Sequence, residues 1–155
     1  KGELHIESYG ISLNLGNTIL IPKGNQVVDS RKKTEIKYDR HDLNKEPYIL
    51  KPNEFVLGET KQSVKTDRDI ITLIDGRSTY ARAGLMIHLT AMVLNGIPFN
   101  DEVSVLEIKN VGNSKIVLYH GERVGVYLFA KLSEKITGKR ESKYINQKEV
   151  TGPIF

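Results

Sequence analysis

Three short segments hold residues whose types and spacing could do chemistry. Gly76-Arg77-Ser78-Thr79-Tyr80-Ala81-Arg82 places two arginines five residues apart, with a glycine before them and hydroxyls between. A Gly-then-hydroxyl turn opening a short helix offers backbone N–H groups, a hydroxyl and a positive helix end to an anion. Each guanidinium can also fork onto phosphate oxygens. A capped surface helix with its arginines in water is the plainer reading of the same pattern. Glu107 lies within Val103-Ser104-Val105-Leu106-Glu107-Ile108. On strict alternation Val103, Val105 and Glu107 share one face, and Ser104, Leu106 and Ile108 the other. A carboxylate beside two valines is partly buried or on a rim. Burial would suit it to proton transfer; an edge-strand Glu paired with a Lys is the plainer alternative. His88 stands alone in the apolar run Ile87-His88-Leu89-Thr90-Ala91 and reads as a core histidine bonded to a backbone group. His5, His41 and His120 are far from it in sequence, so a protein-built metal site is not expected.

The elements that must position these residues are mostly strands. Alternation predicts a strand over His5 to Leu15, a turn at Gly16-Asn17, and a second strand over Thr18 to Ile21. Residues 22–46 are rich in Lys, Asp, Arg and Asn and read as exposed loops with a short strand at Thr34 to Tyr38. Short apolar stretches follow at Tyr48 to Leu50 and Phe55 to Gly58. One helix of about two turns is expected over Ser78 to Gly84, short enough to depend on packing. A buried strand is expected over Leu85 to Val93, another over Val103 to Lys109, and a pair formed by Ile116 to Tyr119 and Val124 to Lys131. Many short strands punctuated by Gly and Asn, with one helix, point to an all-β barrel or sandwich. Leu132 to Phe155 is polar and Lys-rich without periodicity; it is either a frayed tail or an arm that orders over a ligand.

The 155 residues suffice for one domain with its own core. Hydrophobic residues are 39% and charged residues 27%, which argues against disorder, collagen and coiled coil. No apolar run is long enough to span a bilayer, so no membrane partner is expected. Cys is absent, which excludes a thiolate nucleophile and any Cys-held zinc or iron–sulfur cluster. Nothing in the composition demands an oxidising compartment, and a cytoplasmic location is expected. Lys and Arg exceed Asp and Glu by 23 to 19, and the two signs alternate along the chain. That balance does not suggest a nucleic-acid partner, but it leaves room for a small anion held by a few cations.

Taken together, the segments resemble a known family. The run from Gly76 to Ala91 (GRSTYARAGLMIHLTA) strongly resembles the central motif of the dCTP deaminases, within the trimeric dUTPase-like superfamily. Leu106-Glu107-Ile108-Lys109-Asn110-Val111-Gly112 resembles that family's strand with its catalytic Glu. Gly121-Glu122-Arg123-Val124-Gly125 is similar to its Pro-Gly-Met-x-Ile-Gly-type turn, with Glu where Gly-Met is expected. Lys143-Tyr144-Ile145-Asn146-Gln147 is similar to its lid segment. The resemblance implies a distorted β-barrel of the dUTPase-like, β-clip kind with one short helix over residues 1–131. Residues 132–155 would form an arm or lid of the same domain. It further implies a homotrimer with active sites between subunits. Glu107 would be the base that activates water, Arg82 would steady the developing charge, and the Ala91 carbonyl would help hold the water. Arg77 and Ser78 would contact the triphosphate. Lys143, Tyr144 and Gln147 would close over the nucleotide, with Thr90 and Asn95 among the substrate-binding positions. The substrate would be dCTP, with Mg²⁺ entering as the companion of the triphosphate and no zinc.

Two departures bear on the activity. Asn95 stands where the family usually has Asp, in a loop (Asn95 to Asp101) about two residues longer than the family pattern. In related dUTPases, and in bifunctional deaminase–diphosphatases that end at dUMP, an Asp there orients the water that attacks phosphate. Asn cannot act as a base, so dUTP as a substrate is disfavoured unless Asp101 compensates. Ser12 replaces the Asp of the family's Asp-Leu-Arg-Leu-Gly strand, and the family's N-terminal helical segment is absent from this sequence. The leading reading is a dCTP deaminase. The alternatives are a dUTP diphosphatase or bifunctional enzyme, and a relative that binds nucleotide without turning it over.

Overall fold

The computed structural model describes residues 5–94, 102–138, 143–144 and 146–155. The loop containing Asn95 and Asp101 lies outside the described residues. The elements are β1 (Ile11–Pro22), β2 (Tyr38–Asp42), β3 (Tyr48–Leu50), β4 (Phe55–Val64), β5 (Ile70–Gly76), α1 (Ser78–Arg82), β6 (Leu85–Met86), β7 (Glu102–Asn110), β8 (Ile116–Leu118) and β9 (Arg123–Lys131). The main sheet runs β5-β9-β1-β4-β7-β6, with β2 added to β1, and all its pairings are antiparallel. Chain leaving β6 returns to the far edge, where Ile74 N–H bonds Met92 O and Leu94 N–H bonds Thr72 O, both at 2.9 Å. The sheet is thereby nearly closed into a barrel, which leaves little free edge.

β1 is one long strand, where the sequence predicted two strands and a turn. Gly16 serves close approach and not reversal. A Cβ there would sit 2.5 Å from Glu59 Cγ on β4. The register shifts between Leu15 and Ile19. This irregularity lets the first half of β1 pair with β9 and the second half with β2, while β4 takes the other edge. Residues 59–76, given no element above, supply the rest of β4 and all of β5. The expected strand at Thr34 to Tyr38 lies later in the chain, as β2.

Two further expectations differ from the structure. Of the predicted Leu85 to Val93 strand, Leu85 and Met86 form a strand paired with Asn110 and Lys109, and Val93 makes an isolated bridge to Leu73. The rest must cross from the β7 edge to the β5 edge, so residues 89–93 are exposed, irregular chain. Nor do β8 and β9 pair with each other. The turn between them is tied to β1 by Gly121 N–H to Leu15 O (2.8 Å) and Leu15 N–H to Glu122 O (2.9 Å). The chain therefore changes sheet at that point. β8 pairs with β3 in a separate two-stranded sheet, and β9 runs between β5 and β1.

The core fills the barrel with Leu13, Leu15, Ile19, Leu50, Val56, Ile74, Leu106, Ile108, Leu118, Val124 and Tyr127. Each such side chain contributes about 2 kcal/mol by leaving water. A second cluster of Leu20, Leu57 and Val150 lies on the other side of the sheet. Val150 belongs to the C-terminal segment and is only 3% exposed, so the chain at this point is packed against the barrel.

Candidate functional site

β7 alternates strictly between buried and half-buried residues. Glu102, Ser104, Leu106, Ile108 and Asn110 are buried, while Val103, Val105, Glu107 and Lys109 are half-buried. The period of two thus puts Glu107 on the face with the two valines, as the sequence predicted. That face borders a cavity of about 530 Å³, whose walls include Val103, Val105 and Glu107 from β7 and Phe55 and Leu57 from β4.

Glu107 is held in place by the crossing segment. Its own N–H bonds Ile87 O at 3.1 Å. Its carboxylate Oε2 accepts the Leu89 N–H at 2.8 Å. One backbone amide thereby fixes the carboxylate orientation with a charge-assisted bond. His88, Leu89, Thr90 and Ala91 also border the cavity, so the crossing segment forms a wall beside the carboxylate. His88 is not a core histidine. It is half-buried, its Nε2 lies 3.4 Å from Asp75 Oδ1, and its buried Nδ1 has no partner among the described residues.

The C-terminal segment completes the enclosure. Tyr144, Gln147, Thr151, Gly152 and Pro153 line the cavity. Gly152 lies against the Tyr38 ring, where a Cβ would come within 2.6 Å of Cε2. Burial, and then the nearby Tyr144, push the Tyr38 phenol up from its ordinary value. Lys143 does not line the cavity; its Nζ donates to Ile154 O at 3.2 Å, and the Tyr144 hydroxyl accepts the Ile154 N–H at 2.9 Å.

Arg77, Ser78 and Arg82 sit elsewhere. Arg77 is the residue before α1 and makes no side-chain cap bond, so the capped helix start considered from sequence is absent there. Its N–H bonds Val124 O at 3.2 Å. Ser78 and Arg82 are exposed on α1, and none of the three borders the cavity of its own chain. Just after the helix, Gly84 has φ +91° and abuts Gly112; a Cβ there would lie 2.4 Å from Gly112 N. This contact docks the exit of α1 on the end of β7. Glu122, the residue that departs from the family turn, acts on this helix: burial first, then a hydrogen bond to Glu122 and its charge, push the Tyr80 phenol up to about 12.

The structure brings together Glu107, Thr90, Ala91, Tyr144 and Gln147 at one cavity, leaves Arg77, Ser78, Arg82 and Lys143 off its walls, and does not describe Asn95. Sequence reasoning missed the walls from Tyr38, Phe55, Leu57 and Gly152. Only Val103 and Val105 carried a signal, through the alternation they share with Glu107. Among the described residues no cluster of three or more His, Cys, Asp or Glu could hold a metal ion. No helix there is long and apolar enough to cross a membrane.

Comparison with known proteins places these features in a family. A family profile described as dCTP deaminase-like matches residues 2–132. A protein of Methanosphaera stadtmanae named "dCTP deaminase, dUMP-forming" is 38% identical over 112 residues, covering 69% of this chain and 54% of that protein. A protein of the same name from Dictyoglomus thermophilum is 33% identical over 154 residues, covering 94% and 78%. The chain thus spans about half the length of the first and over three-quarters of the second. Among solved structures, 2'-deoxycytidine 5'-triphosphate deaminase from Agrobacterium tumefaciens superposes with a TM-score of 0.59 at 16% identity, over 83% of this chain and 42% of that one. The native dUTPase of EIAV gives 0.54 at 15% identity over 92% of each chain. At such identities these two likenesses speak for the fold.

Proposed function

This chain belongs to the dCTP deaminase-like family, and on that premise we propose that it hydrolyses the exocyclic amine of dCTP, giving dUTP and ammonia. The observation that carries the reading is the Glu107 carboxylate, half-buried at a cavity of about 530 Å³ and oriented by the Leu89 N–H at 2.8 Å. Oε2 accepts that bond, and the other oxygen is available to take a proton from water. As the resulting hydroxide attacks C4 of cytosine, Glu107 passes that proton to N3; it then takes the proton of the new C4 hydroxyl and gives it to the amine, which leaves as ammonia as the C4 carbonyl forms. The Ala91 carbonyl and Thr90 lie on the same wall and would hold the water and the base.

The basic groups proposed for the charged end of the substrate, Arg77 and Arg82, lie off the cavity of their own chain. A neighbouring copy in a homotrimer would bring them to it, so that each site takes Glu107 from one subunit and the arginines from the next. Each guanidinium can fork onto phosphate oxygens, and Arg82 would also steady charge as the tetrahedral centre forms. Mg²⁺ would arrive bound to the triphosphate and not through a protein cage. Residues 132–155 would act as the lid, with Tyr144 and Gln147 already at the cavity and Lys143 freed from Ile154 to meet the nucleotide.

A second reading is favoured by the names of the relatives, since both of those given above are called dUMP-forming. An enzyme that takes dCTP to dUMP must release diphosphate as well as ammonia. Asn95 in place of the family Asp weighs against that second step. Incubation with dCTP and Mg²⁺, followed by measurement of ammonia, diphosphate and the nucleotide product, separates the readings. Ammonia with dUTP is the expected result. Ammonia with diphosphate and dUMP would establish the bifunctional enzyme, and bound nucleotide with no product would overturn catalysis.

A further inference from the structure

Two buried carboxylates outside the proposed chemistry meet the C-terminal segment. Glu59 on β4 is 5% exposed and Glu102 at the start of β7 is 6% exposed. Glu59 Oε2 accepts the Val150 N–H at 2.7 Å. Glu102 Oε1 accepts the Asn146 N–H at 2.7 Å. Between them, Gln147 O accepts the Val103 N–H from β7 at 3.1 Å. Three main-chain bonds therefore stitch residues 146–150 onto the two strands that wall the cavity.

We infer that Glu59 and Glu102 are positioning residues that anchor the C-terminal segment by its main chain and so set where Tyr144 and Gln147 stand over the cavity. Burying a carboxylate is unfavourable unless it is hydrogen-bonded. Burying one to hold a backbone amide gives a short, directional, charge-assisted bond. The segment buries little apolar surface among its described residues. It is polar and Lys-rich, and Val150 is its one fully buried apolar side chain among the described residues. Its exposed ion pair, Arg40 Nη2 to Glu149 Oε2 at 3.0 Å, is of the surface kind that contributes little. Local geometry agrees with a fixed anchor. Asn146 sits at φ +59°, a left-handed turn that Asn tolerates better than most residues, and this turn presents its N–H to Glu102. Val150, in contrast, packs its side chain against Leu20 and Leu57 while its N–H reaches Glu59. The anchors are specific to backbone and so hold the segment whatever side chains face the nucleotide.

The functional part of this inference rests on reading the cavity as the nucleotide site; the anchoring itself does not. The test is amide hydrogen exchange across residues 146–151 of the full chain without nucleotide, together with dCTP kinetics. Glu59→Ala and Glu102→Ala should each speed exchange in that segment roughly tenfold or more, the loss expected when a charge-assisted hydrogen bond is removed. The KM for dCTP should rise by a similar factor with kcat within about twofold, because positioning of binding groups is lost and not chemistry. Glu59→Gln and Glu102→Gln keep an acceptor oxygen and should restore most of both. If an Ala variant also loosens the strand amides of β7 and β9, Val150→Pro removes the donor from the segment side and leaves the barrel sequence intact; it should speed exchange at the neighbouring amides. Unchanged exchange in the Ala and Pro variants, or Gln variants as loose as Ala, would overturn the anchoring. Loosened exchange in a protein that turns over no dCTP would support the anchoring and count against the nucleotide reading alone.

Discussion

Replacing Glu107 by Gln separates the chemical role of this side chain from its structural one. The structural cost is small. Gln keeps the length and one carbonyl oxygen, which can still accept the Leu89 N–H now held at 2.8 Å. The charge-assisted bond becomes a neutral one, a loss of about 1 kcal/mol. For a domain of this size that lowers Tm by roughly 2–4 °C. The backbone bond from Glu107 N–H to Ile87 O is untouched, and the apolar neighbours Val103 and Val105 meet a side chain of nearly the same volume. The chemical cost is much larger. A carboxamide cannot take a proton from water, and general-base catalysis of this kind is worth about 10²–10⁴ in rate. Ammonia release from saturating dCTP should therefore fall by at least roughly a hundredfold, while nucleotide affinity measured by calorimetry stays within about threefold. Melting curves on the same samples check that the fold is retained. Turnover within tenfold of the parent would refute the assignment of Glu107 as base. A collapse of Tm by much more than a few degrees would refute the claim that its carboxylate is spared for chemistry.

Two further outcomes follow from the geometry. Gly84→Ala puts a Cβ 2.4 Å from Gly112 N at φ +91°, and should destabilise by about 2 kcal/mol or more, lowering Tm by roughly 4–8 °C. Gly24→Ala, which meets nothing within 4 Å, should leave Tm unchanged; equal effects would refute the argument. The Tyr80 phenol, raised to about 12, ionises later than an unfolded tyrosine near about 10. In that window the unfolded state sheds its proton first, so the stability Tyr80 provides is full below the unfolded value and is lost as pH rises toward 12. Tyr80→Phe should remove a late-titrating phenol from the alkaline absorbance titration and flatten the alkaline loss of stability, and an unaltered titration would show that another tyrosine carries the shift.

The sequence by itself determined what depends on neighbours along the chain. Strict alternation over Val103 to Ile108 put Glu107 on the same face as Val103 and Val105, because a strand repeats every two residues whatever it pairs with. The run from Ser78 to Gly84 announced a short helix, and α1 occupies Ser78–Arg82. The family motifs were legible as residue types in order. Only the tertiary structure decided which strands meet. Gly16 read as a turn because nothing local reveals Glu59 pressed against it. β8 and β9 read as a hairpin because nothing local reveals that their turn is bonded to Leu15. Folding also set the hold of Leu89 on Glu107, the removal of Arg77 and Arg82 from their own chain's cavity, and the capture of Val150 and Asn146 by Glu59 and Glu102. Each of these joins residues distant in the chain. Such contacts form only when barrel closure offsets the entropy of bringing distant segments together, and no periodicity in a local window encodes that.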